Sequence, residues 1–460
     1  VDLKSVHNIY FIGIGGIGMS AIARYLHSMG KSVSGYDKTS TSLTKKLESE
    51  GIDIHYDDDV NLIDASVELV IYTPAIPGSH KELTWFRANG YPVIKRAQAL
   101  GMISRDSKAI AVAGTHGKTS TSSMVTQLLT YGDIAFSAFV GGIILDVESN
   151  YVYHGNEWVV LEADEYDRSF LQLNPEIAIL ISMDADHLDI YDDVSTMHEG
   201  FWHFVEKINP GGFLIFQSNL EQYFPEGWKG YLESHKVTTI PYGLKEGAAQ
   251  GKNVRVENGQ WVMDYSWKDH RLDALILPMP GHHNAENATA AITAALITGV
   301  QESAIRMAYG SFSGIHRRFE KLYDDGKVIY IDDYAHHPTE LKAAISAART
   351  MYPAKRLTGI FQPHLFTRTR DFVEGFAEAL DTLDEVILMD IYPARELPIE
   401  GVTTEIILRI MKNKNAWYIK DEEVIDQLMK IKPEVIITLG AGDIDLLRDK
   451  IVKELKERSS

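Results

Sequence analysis

Cysteine is absent from this chain of 460 residues. That excludes disulfides, thiolate zinc sites and a cysteine nucleophile, leaving carboxylates, histidines and phosphate chemistry. No apolar run approaches the roughly 18 residues that suggest a membrane span, so no membrane partner is expected. Cations are scarce: 45 Lys and Arg against 64 Asp and Glu give a net charge of −19. The basic footprint of a nucleic-acid binder is therefore missing. A small anion could still bind where backbone amides, a few cationic side chains or a metal ion create positive potential locally. Low-complexity segments and sequence repeats are also lacking. The start, VDLKSVHNIYFIG, has none of the segments of a signal peptide and runs straight into an apparent strand, which predicts a cytoplasmic location.

What is present is an ordinary globular composition, 45% hydrophobic and 24% charged, on a chain long enough for two or three cores. Apolar strand-like runs alternate with helical patterns throughout, predicting an α/β architecture with largely parallel sheets. Three strand–loop–helix beginnings stand out: HNIYFIGIGGIGMSAIARYLHSMG, KAIAVAGTHGKTSTSSMVTQLL and KVIYIDDYAHHPTELKAAISAART. Each reads as the opening of a separate sheet, giving domains at 1–105, 106–312 and 313–460. The aromatic-rich stretch 210–267 is irregular, and no fold is assigned to it.

In the first opening, Gly13, Gly15, Gly16 and Gly18 lie between a strand and a helix whose apolar residues are Ile17, Ala21, Ile22, Tyr25 and Leu26. Such a turn lets backbone approach a pyrophosphate at a helix N-terminus, and Asp37, ending the next strand, stands where an acid meets a ribose hydroxyl. The motif does not name the ligand, and taken alone it suggests NAD. In the second opening, Gly114, Thr115, His116, Gly117, Lys118, Thr119 and Ser120 make a shortened phosphate loop, with Val112 where the longer pattern has glycine. Lys118 can reach the β/γ-phosphates and Thr119 is placed to ligate Mg²⁺, so ATP is expected. Downstream, VVLEADEYD and ILISMDADHLDIYDD end apolar strands in acids, where Glu162 and His187 could meet near the loop. A solvated acidic strand end is the plain alternative.

The pairs His282/His283 and His336/His337 invite a zinc reading. Adjacent side chains diverge, however, and a structural zinc needs four convergent ligands, so capping, packing and ligand contacts explain them better. The C-terminal IDLLRDKIVKELKERSS reads as a charged amphipathic helix with a solvated face.

In order, GTHGKTS, EADEYD, DADHLD, GHHNAENATAA, GIHRRFE and DDYAHHP resemble the Mur ligase family, three-domain ligases that form amides with ATP, over essentially the whole chain. GIGGIGMS, FQPHLFTRTRD, DIYPARELPIEG and GAGDI resemble the branch that adds L-alanine to UDP-N-acetylmuramate. The resemblance implies a Rossmann-like N-terminal domain for the UDP-sugar, a P-loop ATPase centre and a Rossmann-like C-terminal domain for the amino acid. It puts Gly13, Gly15, Gly16, Gly18, Asp37 and Thr73 at the UDP-sugar, and Gly114 to Ser120 at ATP. It further implies Thr119, Glu162 and His187 at magnesium, and His283, Asn287, Arg318 and Asp333 at the nucleotide. Tyr334, His336 and Arg368 fall near the muramoyl carboxylate and amino acid, with Arg370 structural. A homodimer is left open.

Three departures accompany the resemblance. EADEYD and GIHRRFE are also similar to the related muropeptide ligase that attaches L-Ala-γ-D-Glu-diaminopimelate. Leu365 replaces an arginine common in the alanine-adding branch, and Trp202 stands where many relatives have a carbamoylated lysine, with Lys207 nearest, so no carbamoylation is expected. Amide formation requires an activated carboxylate. The implied route is γ-phosphoryl transfer to the lactyl carboxylate, then attack of the amine on the acyl phosphate. Lys118 and His187 would serve the phosphoryl transfer, Arg318 the departing phosphate, and His336 the amine proton. Water must be excluded before the intermediate forms, so closure is expected. A nicotinamide dehydrogenase would explain only the first motif, and a nucleotide-dependent switch only the second.

Overall fold

The computed structural model describes residues 3–184, 193–394 and 396–459. Three sheets account for the three strand–loop–helix openings. The first has five parallel strands in the order Asp53–His55, Ser32–Tyr36, Asn8–Ile12, Leu69–Tyr72 and Val93–Lys95. Because Asn8–Ile12 is flanked by Ser32–Tyr36 on one side and Leu69–Tyr72 on the other, strand order reverses there. The loops at the carboxyl ends of these strands border the resulting crevice. The helix Ile17–Ser28 buries Ala21, Ile22, Tyr25 and Leu26, as their spacing predicts, whereas Ile17 is 38% exposed at its open end.

The central sheet has ten strands. Lys108–Ala113 lies between Ile177–Leu180 and Trp158–Ala163, all parallel, and Ala109 to Ala113 are fully buried, as a strand covered on both faces requires. The 210–267 stretch forms part of this sheet. Phe213–Gln217 and Thr238–Gly243 add parallel strands, followed by Ala249–Glu257, Gln260–Trp267 and His270–Ile276 at its end. Several of its aromatics pack on the core: Phe216, Phe224 and Trp228 meet at 5.1–5.8 Å between ring centres. Trp202 packs on Phe224 and Tyr231 while its indole N–H donates to Glu206 Oε1 at 3.0 Å.

The first and central sheets share one apolar core, in which Tyr25 packs on Phe139 at 5.3 Å between ring centres. Fully buried Asn150 accepts from Arg24 at 2.6 Å and donates to Ser20 Oγ and to the Ile17 carbonyl. Each buried Leu, Ile or Phe contributes about 1.5–3 kcal/mol, so this continuous core makes residues 1–252, 264–275 and 286–313 one compact unit. The second unit comprises 253–263, 276–285 and 314–460. Its six-stranded sheet runs Glu320–Asp324, Ile329–Asp333, Val435–Leu439, Leu357–Phe361, Glu385–Leu388 and Ala416–Tyr418, antiparallel only at the first pair.

A buried polar cluster lies beside the first sheet. Tyr10 Oη donates to Glu82 Oε2 at 2.7 Å and stands 2.6 Å from His55 Nε2, while Asp58 caps the helix Lys81–Ala88 by accepting from the Lys81 and Glu82 N–H groups. Glu82 is fully buried, and burial pushes its carboxyl up to about 7. A carboxyl raised on folding binds its proton more tightly in the folded state, so its ionisation opposes folding as pH rises from the unfolded value through the folded one. Glu82→Gln keeps the shape and removes the charge. Its stability relative to the unaltered protein should therefore rise by about 2–3 kcal/mol between pH 5 and 8. Urea midpoints across that range test this, and a difference that does not change with pH would show that Glu82 ionises normally.

Candidate functional site

The glycine turn follows the first strand. Gly13 has φ +85°, and a side chain there would meet Thr73 Cγ2 at 2.7 Å, so the turn and the end of Leu69–Tyr72 touch across the crevice. The Gly15 N–H donates to Asp37 Oδ2 at 2.7 Å, and Asp37 Oδ1 accepts from the Thr39 N–H at 3.1 Å. Asp37, read from the sequence as a ribose partner, thus braces the turn. Gly16 precedes the helix Ile17–Ser28 without a side-chain cap, leaving the first N–H groups for a ligand. Gly18 gives clearance to Arg96, whose Nη1 lies 2.7 Å from where a Cβ would stand.

In the phosphate loop Gly117 takes φ +85° as the residue before the helix Lys118–Tyr131, with Asn287 only 3.0 Å from the place a Cβ would occupy. The loop is pinned to the end of Ile177–Leu180. The His116 N–H donates to Ser182 Oγ at 3.0 Å, and Thr115 Oγ1 donates to the Asp184 carbonyl at 3.1 Å. Lys118 Nζ donates to the Gly114 carbonyl at 2.7 Å and to Glu165 at 2.6 Å. Burial alone would lower the Lys118 pKa, but Glu165, Asp164 and Glu162 together hold the ammonium above its usual value. Ser120 is buried in the first helical turn.

Glu162 accepts from the Gly141 N–H at 2.6 Å, Ser122 Oγ at 3.0 Å and Thr119 Oγ1 at 3.2 Å, and burial raises its carboxyl. A hydroxyl beside a carboxylate that burial disfavours as a charge is an oxygen donor set suited to a hard cation such as Mg²⁺. His187 lies outside the described residues. Between the glycine turn and this group is a cavity of about 410 Å³, lined on one side by Gly16, Gly18, Thr73 and Arg96 and on the other by Lys118, Glu162 and Asp164.

In the second unit, Asp333 accepts from the Phe319 N–H and the Ala335 N–H, both at 2.7 Å. Burial pushes its carboxyl up to about 6, against the pull of Arg318 and those donors. The Arg318 guanidinium lies 5.1 Å over the Tyr334 ring, and Tyr334 packs edge-on to His336. The His336 N–H donates to Glu340 Oε2 at 3.0 Å. His283 sits among Glu340, Arg318 and His282. Thus His283, Arg318, Asp333, Tyr334 and His336 form one neighbourhood. Arg368 stands in the short helix Phe366–Asp371, entered through Leu365 at φ +67°, while Arg370 pairs with its neighbour Asp371 at the surface. The other histidines of the pairs pack and cap: His282 meets Trp261 edge-on, and His337 Nδ1 accepts from the Thr339 N–H at 3.3 Å.

Sequence reading missed Glu165, Ser122, Gly141, Ser182, Asp164 and Arg96. Glu165 stands in the same EADEYD string as Glu162, and its opposite charge to the loop lysine was the available signal. Gly141 and Ser182 carry none, because they are brought in by strand pairing.

A glycine turn and a phosphate loop opening successive α/β sheets define a nucleotide-using enzyme assembled from distinct sheets. Family models match in three blocks: Mur ligase family, catalytic domain, at 8–108; Mur ligase middle domain at 112–295; and Mur ligase, glutamate ligase domain, at 317–442. The chain belongs to the Mur ligase family, in a three-domain α/β form. It is 45% identical to the UDP-N-acetylmuramate–L-alanine ligase of Cytophaga hutchinsonii, over 97% of this chain and 96% of that one. The crystal structure of UDP-N-acetylmuramate-alanine ligase from Thermotoga maritima matches with a TM-score of 0.79 at 27% identity, covering 98% of this chain and 99% of that one. The murein peptide ligase of Psychrobacter arcticus shares the fold, with a TM-score of 0.69 at 22% identity and 98% coverage of both chains.

Proposed function

We propose that the chain joins L-alanine to UDP-N-acetylmuramate with ATP, forming an amide at the lactyl carboxylate through an acyl phosphate, as a cytoplasmic step of peptidoglycan precursor synthesis. The observation that carries this reading is the cavity with an uncapped helix N-terminus and glycine turn on one wall and Lys118 with Glu162 on the other. An acceptor bearing a diphosphate at one end and a carboxylate at the other suits those walls. Full-length relatives named for L-alanine addition support the choice of nucleophile.

In this reading 1–105 hold the UDP-sugar, 106–312 ATP and 313–460 the amino acid. Lys118, fixed by Gly114 and Glu165, neutralises charge on the transferring phosphoryl group. Thr119 and Glu162 would hold magnesium, which supplies charge neutralisation at the phosphates when bound. Arg318 is assigned to the anionic phosphate, Arg368 to the amino-acid carboxylate, and His336 to the amine proton. Asn287, one turn along the helix His282–Thr298 from His283, is assigned to the nucleotide.

The test is phosphate release from ATP across UDP-muramoyl acceptors and nucleophiles. L-Alanine with UDP-N-acetylmuramate should give the fastest turnover, glycine and L-serine less, and omission of either substrate only background. Efficient use of L-Ala-γ-D-Glu-diaminopimelate in place of L-alanine would instead establish the muropeptide ligase.

A further inference from the structure

We propose that Asp58, His80 and Glu82 form a binding site for one zinc ion beside the first sheet, outside both glycine-bearing loops. The inference is independent of the ligase reading, since none of the three residues belongs to the nucleotide, sugar or amino-acid positions assigned above.

The three residues come from two segments. Asp58 follows the strand Asp53–His55, while His80 and Glu82 stand on either side of Lys81 at the start of the helix Lys81–Ala88. One ligand atom of each lies within 4.8 Å of those of the other two. His80 Nδ1 stands 3.3 Å from Asp58 Oδ1. Nitrogen and oxygen ligands about 2.1 Å from a tetrahedral zinc are roughly 3.3–3.5 Å apart, so this pair already has ligand spacing. One imidazole with two carboxylates is a mixed donor set, which suits zinc better than magnesium or calcium with their all-oxygen shells. Three protein ligands leave the fourth position to water, as in an open zinc site and unlike a closed site of four residues.

Burial without partners separates this group from a solvated acidic cluster. Glu82 is fully buried and His80 is 8% exposed, and neither Glu82 Oε1 nor His80 Nε2 has a hydrogen-bond partner among the described residues. Buried polar atoms in that state are costly. No lysine or arginine among the described residues pairs with either carboxylate; the basic neighbours are imidazoles, His80 for Asp58 and His55 for Glu82. A divalent cation would answer both carboxylates and the imidazole at once. The remaining contacts resemble those that orient metal ligands from behind. Tyr10 Oη donates to Glu82 Oε2 at 2.7 Å, and the Lys81 N–H donates to Asp58 Oδ2 at 3.0 Å.

The test is titration of the full chain with Zn²⁺ in competition with a chromophoric chelator, with excess Mg²⁺ present to fill the hard-cation site proposed at Glu162. One tightly held equivalent is expected. Glu82→Gln and Asp58→Asn keep the shape, and the asparagine keeps an acceptor for the helix cap, but each removes a charge from the site. Each should weaken the zinc equivalent at least about 100-fold. Zinc bound by the folded chain should also raise the urea midpoint of the unaltered protein and leave that of Glu82→Gln where it was. Urea curves without zinc establish that both variants fold. Zinc held as tightly by both variants as by the unaltered protein would overturn the proposal. So would failure of the unaltered protein to hold any zinc against the chelator, since the buried carboxyl would then be served by a proton alone.

Discussion

Lys118→Ala should reduce ATP-dependent ligation by at least about 10³-fold while leaving UDP affinity within a few-fold of the unaltered protein. The ammonium is held by the Gly114 carbonyl and Glu165, and surrounding carboxylates keep it charged. It is thus oriented before any phosphate arrives, and its loss removes preorganised stabilisation that water cannot replace at the same place. The glycine turn belongs to a different sheet, so the diphosphate contacts proposed there should survive. Removing Lys118 also takes this ion pair away from Glu165, which is fully buried, and breaking such a pair costs about 3–5 kcal/mol of stability. Lys118→Ala combined with Glu165→Gln should recover much of that stability and none of the activity, which separates misfolding from lost chemistry. Phosphate release, UDP titration and a urea curve on both proteins decide the matter. A UDP affinity that fell as far as turnover would mean that one site serves both nucleotides.

Glu162→Gln should raise the magnesium concentration for half-maximal activity at least tenfold and lower saturated turnover by about 10²-fold. The glutamine fits the same space and can accept the Gly141 N–H, which donates to Glu162 at 2.6 Å, so the fold should tolerate it. What it lacks is the negative charge. Burial already disfavours that charge without a cation, which is the condition under which a carboxylate gains most from a metal ion. Magnesium titrations of the ligation rate read the effect directly. An unchanged magnesium requirement would remove Glu162 from the metal site and leave it as a brace for Thr119, Ser122 and Gly141.

The two loops were legible because their chemistry is local. Gly13 to Gly18 and Gly114 to Ser120 are consecutive residues whose backbone needs and helix starts are written in the order of the chain. Legible too, but unused, was Asn258-Gly259 between Ala249–Glu257 and Gln260–Trp267. Both residues have positive φ, and Asn-Gly between strands is a strong signal of a two-residue hairpin. The aromatics of 210–267 looked irregular because Phe216 comes from a strand, Phe224 from the segment between elements, and Trp228 and Tyr231 from a helix, with Trp202 packing on them from the helix Val194–Val205, and no single period joins them. Asp37 was read as a residue beside the turn because it ends the next strand, whereas its hydrogen bond to the Gly15 N–H could not be read.

The sequence by itself determined the α/β class, the two glycine-bearing loops and the family, because strand and helix periods, glycine spacing and ordered motifs are properties of short, contiguous segments. Only the tertiary structure decided what faces those loops. Arg96 comes to Gly18 across 78 positions and Glu165 to Lys118 across 47, and Gly141 offers its N–H to Glu162 from another strand. Such pairings arise from sheet order and from the burial that drives strands together. These act on the chain as a whole and leave no periodic trace in the residues that they bring into contact.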